Sequence, residues 1–343
     1  MKKVILISAL FIIVIVSLSA LCVYYAAMFP NIAVSDKNDA YIYIYEGDTF
    51  DDLLAQLTEK DALINVNTFL WLSRTMDFPT NIKVGRYQLK NGASNLAFIR
   101  QLKSGSQSPI KITFNNIRTK EDLAGRLGSQ LMIDSAEIIY LFNDYSFLEP
   151  YGLTPETVSA VFIPNTYEVY WNVSAVAFFE RMWNEYNRFW NENRRAKAEE
   201  IGFTPLKISI LASIVEEETN YSKEKPTVAG LYINRLRKNM ALQADPTVKF
   251  ALGDFSVRRI LNEHLKIESP YNTYLYTGLP PGPIRIPAIS SIDAVLNYEK
   301  HNYIYMCAKD DLSGKHAFAT TYTEHQRNAA KYRKALNQRK IYR

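Results

Sequence analysis

The sequence predicts an α+β protein, with an N-terminal transmembrane helix, a small mixed subdomain and a larger, helix-rich mixed domain. Three observations point there. Val4 to Phe29 is an almost unbroken apolar run, longer than the ~20 residues that cross a bilayer as a helix. Short runs such as Tyr41-Ile-Tyr-Ile-Tyr45 alternate at the period of a strand, and longer segments, most clearly Ile208 to Thr219, repeat at the period of a helix. The chain has 343 residues, 48% of them apolar, enough for two or more folded units at about 100–200 residues each. The expected boundaries are 1–30 for a cytoplasmic tip and anchor, 31–110 for a linker and the small subdomain, and 111–343 for the larger domain.

Lys2 and Lys3 precede the apolar run, which places the N-terminus in the cytoplasm and everything after about residue 30 outside it. A cleaved signal peptide is the rival. Its hydrophobic region is usually about 7–15 residues and ends in small residues, whereas this run is longer and ends in Tyr24-Tyr-Ala-Ala-Met-Phe29. Bulky Leu21 before Cys22 argues against lipoprotein processing. The expectation is an uncleaved single span through residues 4–29 of the cytoplasmic (inner) membrane, with the folded part extracytoplasmic.

A polar linker (31–40) leads to the Tyr41–Tyr45 strand. Glu46-Gly-Asp-Thr49 then gives a turn and an N-cap for a helix from Phe50 to Leu57. A second helix is expected from Asn67 to Arg74, a strand from Val84 to Leu89, a helix from Leu96 to Lys103 and a loop from Ser104 to Pro109. This strand, Gly-Asp-Thr turn and helix resembles the LysM-like segment of wall-associated proteins. Lys111 to Phe114 reads as a strand, and helical patterns run from Thr119 to about Phe142. Phe162 to Tyr170 is irregular, then extended. One long helix is expected from Ser174 to Glu200, with its aromatic face in the core.

Thr204-Pro205 caps the next helix, with proline at its first position. Pro226 to Met240 is a further amphipathic helix. Asp245, in Leu242-Gln-Ala-Asp-Pro-Thr-Val248, is placed either to cap the helix that follows or to serve a site. Two prolines between Gly278 and Gly282 make a stiff loop.

Composition narrows the function. Of the 2 cysteines, Cys22 lies in the apolar run and Cys307 reads as a buried strand residue, so the exported part has no disulfide to rely on. The 4 histidines lack metal-ligand spacing, so a zinc enzyme is not expected. The net charge of +5 is modest and scattered apart from a basic end, Lys331-Tyr-Arg-Lys334 and Arg339 to Arg343, and no nucleic-acid module is present. The 23 tyrosines suit a sugar-facing groove, although many belong in any core.

The helix Ile208-Ser-Ile-Leu-Ala-Ser-Ile-Val-Glu-Glu-Glu-Thr219 carries the chemistry. At about 100° per residue, Ile208, Ile210, Leu211, Ile214 and Val215 form one stripe, and Glu218 falls near its middle. Glu216 points the other way, over Ser209, Ala212 and Ser213. A carboxyl against apolar neighbours loses hydration and holds its proton towards neutral pH, as a general acid must. The alternative is that Glu218 marks where a buried stripe emerges into water.

Ala212-Ser-Ile-Val-Glu-Glu-Glu-Thr219, Phe162-Ile-Pro-Asn-Thr-Tyr167, Ile233-Asn-Arg-Leu236, Gln243-Ala-Asp-Pro-Thr247, Tyr271-Asn-Thr-Tyr274 and Gly278-Leu-Pro-Pro-Gly282 occur in an order and spacing that resembles the YceG/MltG-like endolytic murein transglycosylases. The resemblance covers nearly the whole chain and implies a catalytic domain over 111–343 that cuts the MurNAc–GlcNAc bonds of peptidoglycan glycan strands with formation of 1,6-anhydro ends. It implies Glu218 as the acid, Glu216 as a supporting partner, Glu217 as a variable, dispensable position and, since the nucleophile comes from the substrate, no metal or other cofactor. Tyr167, Tyr271 and Tyr274 are candidates for stacking on sugars; Asn165, Gln243, Asp245, Asn272, Gly278, Pro280 and Gly282 are candidates for polar or backbone contacts. Asn165 stands where the family usually has Asp, which removes a charge. Peptidoglycan polymerases are plausible partners. Two other readings stay open: a membrane-tethered wall-binding scaffold, and a hydrolytic muramidase with a second carboxylate as base.

Overall fold

A computed structural model describes residues 2–34, 40–257 and 259–339. Part of the expected linker (35–39) and the last four residues of the basic end (340–343) lie outside the described residues. The chain forms two compact units.

The first unit comprises Met1–Lys111, Gln130–Met132 and Glu168–Val173. Its elements are α1 (Lys2–Met28), β1 (Tyr41–Ile44), α2 (Phe50–Glu59), α3 (Val66–Thr75), β2 (Gly85–Gln88) and α4 (Asn95–Ser104). Helix α1 is long and apolar enough to cross a membrane. β1 and β2 pair antiparallel, Tyr41 opposite Gln88 and Ile44 opposite Gly85. Alternation along β1 sends Ile42 and Ile44 inward, where they join Leu53, Leu57, Phe69, Phe78, Tyr87 and Phe98 in one core. Thr49 and Asp52 form a reciprocal capping box at the start of α2, so the Gly-Asp-Thr turn has a structural reason to exist.

The second unit comprises Ile112–Ser129, Ile133–Tyr167 and Ser174–Arg343. After β3 (Ile110–Thr113) come α5 (Lys120–Gly128), α6 (Ser135–Asn143), the short α7 (Tyr145–Leu148), β4 (Thr166–Val169), α8 (Ala175–Phe189), α9 (Glu192–Ile201), α10 (Pro205–Glu218), α11 (Lys225–Arg237), α12 (Asp245–Leu252), α13 (Ile289–Leu296), β5 (Tyr305–Ala308), β6 (His316–Ala319) and α14 (Tyr322–Gln338). β3 pairs with β4, and β5 pairs antiparallel with β6. The described residues are helix-rich, with three two-stranded ribbons. Cys307 lies in β5, half-buried.

Two sequence expectations need correction here. The single helix from Ser174 to Glu200 is two helices: the chain turns at Trp190, and the Asn191 side chain accepts from Arg194 N to start α9. The aromatic face of α8 is otherwise as expected, with Phe178, Phe179, Met182 and Tyr186 buried. Helix α10 was expected to bury one stripe, yet every residue from Ile208 to Val215 is buried, because α9, α11, α12 and α13 all pack on it. Small Ser209, Ala212 and Ser213 let these neighbours approach on the side read as polar. Ser213 Oγ donates to Ile210 O at 2.7 Å and accepts from Ile284 N at 3.0 Å, which fixes the proline-rich loop to α10. Each buried Ile or Leu contributes about 1.5–3 kcal/mol, and Ile214→Ala would cost roughly 2–5 kcal/mol through the cavity it leaves.

Candidate active site

Thr204 caps the first turn of α10, accepting from Lys207 N, with Pro205 at the first helical position. Fourteen residues on, the helix ends at Glu218. There the carboxyl meets α11: the Tyr232 hydroxyl donates to Glu218 Oε2 at 3.0 Å. The two line a cavity of about 180 Å3 with Leu231, Arg235, Leu242, Gln243, Asp245, Tyr274 and Met306. Tyr232 and Arg235 are three residues apart, so one face of α11 supplies both.

Arg235, buried, donates to the carbonyls of Ile304 (2.6 Å), Ala241 (3.1 Å) and Leu242 (2.8 Å). Its guanidinium thereby shapes the loop that carries Gln243 and Asp245. Gln243 has φ of 52°, a left-handed conformation uncommon for a non-glycine residue, and its backbone N–H donates to Thr273 O at 3.0 Å. Asp245 is the first residue of α12, not its cap: the N-cap is Ala244, with no side-chain cap bond. The Asp245 carboxylate is turned to Tyr274 instead, whose hydroxyl donates to Oδ1 at 2.6 Å.

Burial of the Glu218 carboxyl raises its pKa above the ordinary glutamate range. The Tyr232 hydrogen bond and the charges of His316 and Arg235 pull the other way, while the negative charge of Asp245 adds to the rise. The Tyr232 hydroxyl is raised well above a normal phenol, first by burial and then by Glu218. It therefore stays a donor to Glu218. This arrangement can hold a proton on Glu218, release it to an acceptor in the cavity and steady the resulting carboxylate.

The neighbouring acids are built differently. Glu216 accepts from Ala288 N at 2.5 Å and pairs with Arg285 Nη2 at 3.3 Å. Glu217 pairs with Arg118 at 3.0 Å and with Arg285 through its other oxygen. Arg285 also donates to Asn116 Oδ1 at 3.0 Å. Glu217, expected to be dispensable, thus holds two arginines, one of them buried.

Of the other sequence candidates, Gln243, Asp245 and Tyr274 share the Glu218 cavity. Tyr167 does not: it is buried, its ring lies 5.5 Å from Phe114 and its hydroxyl donates to Ile163 O at 2.7 Å, so no ring face is left for a sugar. Asn165 is exposed and accepts from Thr166 N. Asn272 is fully buried, donating to Leu265 O and Ile267 O and accepting from Tyr274 N; it sets the turn that presents Tyr274 and has no free group for substrate. Tyr271 packs on Phe250 at 4.7 Å and lines a separate cavity with Arg118 and Glu156. Gly282 is required by packing, since a Cβ there would overlap the Glu156 carbonyl oxygen. Gly278 has φ of +91°, and Pro280 is buried; both shape the loop.

Sequence reasoning missed Tyr232, Arg235 and Met306. It also missed Glu224, which accepts from His316 N at 2.9 Å and from Thr219 Oγ1 at 3.2 Å and so ties β6 to the end of α10. The signal available for Tyr232 and Arg235 was their spacing on α11 next to the noted Ile233-Asn-Arg-Leu236 run. Among the described residues, no group of three or more His, Cys, Asp or Glu side chains is placed to hold a metal ion.

The YceG-like family profile matches residues 42–331, and the chain belongs to the YceG-like family. It is 25% identical over 331 residues to the endolytic murein transglycosylase of Bacillus subtilis (strain 168), covering 92% of this chain and 91% of that protein. A segment of 126 residues, 36% of this chain, is 33% identical to the endolytic murein transglycosylase of Streptococcus pneumoniae serotype 2, of which it covers 23%. The crystal structure of a YceG-like protein from Listeria monocytogenes superposes with a TM-score of 0.56 at 27% identity, covering 84% of this chain and 97% of that one.

Proposed function

We propose that this chain is a membrane-anchored endolytic lytic transglycosylase that cleaves the MurNAc–GlcNAc bond of peptidoglycan glycan strands and leaves 1,6-anhydro-MurNAc ends. The observation that carries it is Glu218, an acid with a raised pKa, hydrogen-bonded to a buried phenol in a polar cavity. Membership in a family whose named relatives are endolytic murein transglycosylases supports the substrate and reaction class.

Protonated Glu218 gives its proton to the glycosidic oxygen as the bond to the MurNAc anomeric carbon breaks and an oxocarbenium-like state develops. The negative charge of Asp245 favours that positive charge. The Glu218 carboxylate, steadied by the Tyr232 hydroxyl, then takes the proton from the MurNAc 6-hydroxyl, whose oxygen closes the ring on its own anomeric carbon. Gln243 and Tyr274 line the cavity and are the side chains in position to orient the sugar.

Helix α1, which begins with Lys2 and Lys3, would hold the catalytic unit outside the cytoplasmic membrane, near newly made strands and within reach of peptidoglycan polymerases. The segment 31–110 would serve as a LysM-like wall-binding module beside it, with 111–343 as the catalytic domain. A second reading is favoured by one observation: Asp245 puts another carboxylate in the same cavity, as a hydrolytic muramidase needs.

Mass spectrometry of glycan products from the full chain in detergent, beside its Glu218→Gln variant, separates these. Anhydromuramyl ends from the parent and none from the variant are expected. Reducing ends would make the protein a hydrolase, and binding without cleavage would make it a scaffold.

A further inference from the structure

We propose that the first unit carries a phospholipid-binding groove between α1 and α3, in which an outer-leaflet phospholipid lays one acyl chain along the anchor; this rests on the membrane-spanning reading of α1. A cavity of about 880 Å3 lies between the two helices, floored by residues such as Leu18, Leu21 and Cys22 of α1 and rimmed by Asn67, Thr68 and Trp71 of α3.

The groove is built into the fold. A helix loosely tethered to a domain would keep no fixed groove, but the buried Asn95 side-chain amide donates to Ala26 O at 2.9 Å and to Thr68 Oγ1 at 3.1 Å. One side chain thus fixes both walls. Asn31 braces it, donating to Asn95 Oδ1 at 2.7 Å.

Length and chemistry choose the occupant. The floor runs from Ile15 to Ala26, about 16 Å at the ~1.5 Å rise of a helix, close to half of a ~30 Å hydrocarbon core. That is the depth of one leaflet. The deep end is aliphatic, while the shallow end offers amides, a hydroxyl and an indole, the same order as acyl chain and headgroup, and indoles favour that boundary. Trp71, at the rim, is 44% exposed, an uncovered apolar surface beside the anchor. No lining residue is charged, which points to selection by the acyl chain and not by headgroup charge.

The test is native mass spectrometry of the full chain extracted from vesicles of phosphatidylglycerol and phosphatidylethanolamine, preceded by vesicle flotation. One phospholipid retained per chain is expected. Ser19→Phe, which fills the groove from α1, and Trp71→Ala, which removes its rim, should each lower retention on the order of fivefold, with glycan cleavage unchanged. Failure of the parent to float with vesicles would remove the anchor reading and the proposal with it. A floating parent with no retained lipid, equal retention in all three proteins, or a second copy of the chain held in place of lipid would overturn the groove alone.

Discussion

The last turn of α10 faces two environments that share three consecutive glutamates and little else. On one side, Glu216 and Glu217 meet Arg285, Arg118 and the Ala288 amide. On the other, Glu218 meets a phenol, a second carboxylate and a small cavity. Cationic partners make the first side a clamp that holds charge; burial without a directly bonded cation makes the second a place where a carboxyl keeps its proton. The clamp also explains how the second side can exist, since it locks the helix whose end carries Glu218. Identical residue types in sequence thus take opposite roles, decided by what distant segments bring to them.

The largest expected effect lies on the phenol side: Glu218→Gln should lower the rate of glycan cleavage by about 10²–10⁴-fold with a urea unfolding midpoint no lower than the parent's. A residual rate near that of the parent would erase the distinction between the two sides. Next comes the clamp. Arg285→Ala leaves largely buried Glu216 without a cation and Glu217 with Arg118 alone, and should cost about 3 kcal/mol of stability, seen as a lower urea midpoint; a stable but inactive variant would show that Arg285 belongs to the chemistry.

The pH profile sharpens the comparison further. A general acid with a raised pKa loses activity as pH rises through that value. Tyr232→Phe removes a bond that lowers the Glu218 pKa, so the alkaline limb of cleavage should move to higher pH; Asp245→Asn removes a charge that raises it, so the limb should move lower. Shifts in the same direction would contradict the assigned causes. The stability linkage has its own sign: folded Glu218 keeps a proton that the unfolded chain releases, so its contribution to stability falls as pH rises from the ordinary carboxylate range towards the raised value. Glu218→Gln should flatten that part of the stability curve.

Much of the frame was legible in the sequence. The Thr204-Pro205 start and the apolar period located α10 and singled out Glu218, and alternation located β1. The stripe on α10 was too narrow a reading because small residues on its other side invite packing as readily as solvent. Asn191 was hidden inside an aromatic pattern strong enough to suggest one long helix. Asp245 read equally as a cap or as a site residue from its neighbours in sequence, and what decides between them, Tyr274, comes from a loop 29 residues away. Tyr232 and Arg235 lay in a plain amphipathic segment, and only the meeting of α10 with α11 gives them a role. Tyr167 and Asn272 were read as sugar contacts because their residue types suit that work, yet both spend their polar groups on backbone carbonyls or amides.

The smallest expected effect checks one of these corrections. Tyr167→Phe leaves the Ile163 carbonyl without its buried donor and should cost about 1 kcal/mol, with the KM for glycan strands unchanged. A raised KM at unaltered stability would return Tyr167 to the substrate.

The protonation of Glu218 itself can be observed without turnover, by infrared difference spectroscopy of the carboxylic C=O stretch across a pH titration of the parent and Glu218→Gln. A carboxylic band that persists above the ordinary glutamate range in the parent and is missing from the variant is the predicted result. A Glu218 band that vanishes at the pH of an exposed glutamate would contradict the role of burial on this side of α10, and with it the assignment of Glu218 as the acid.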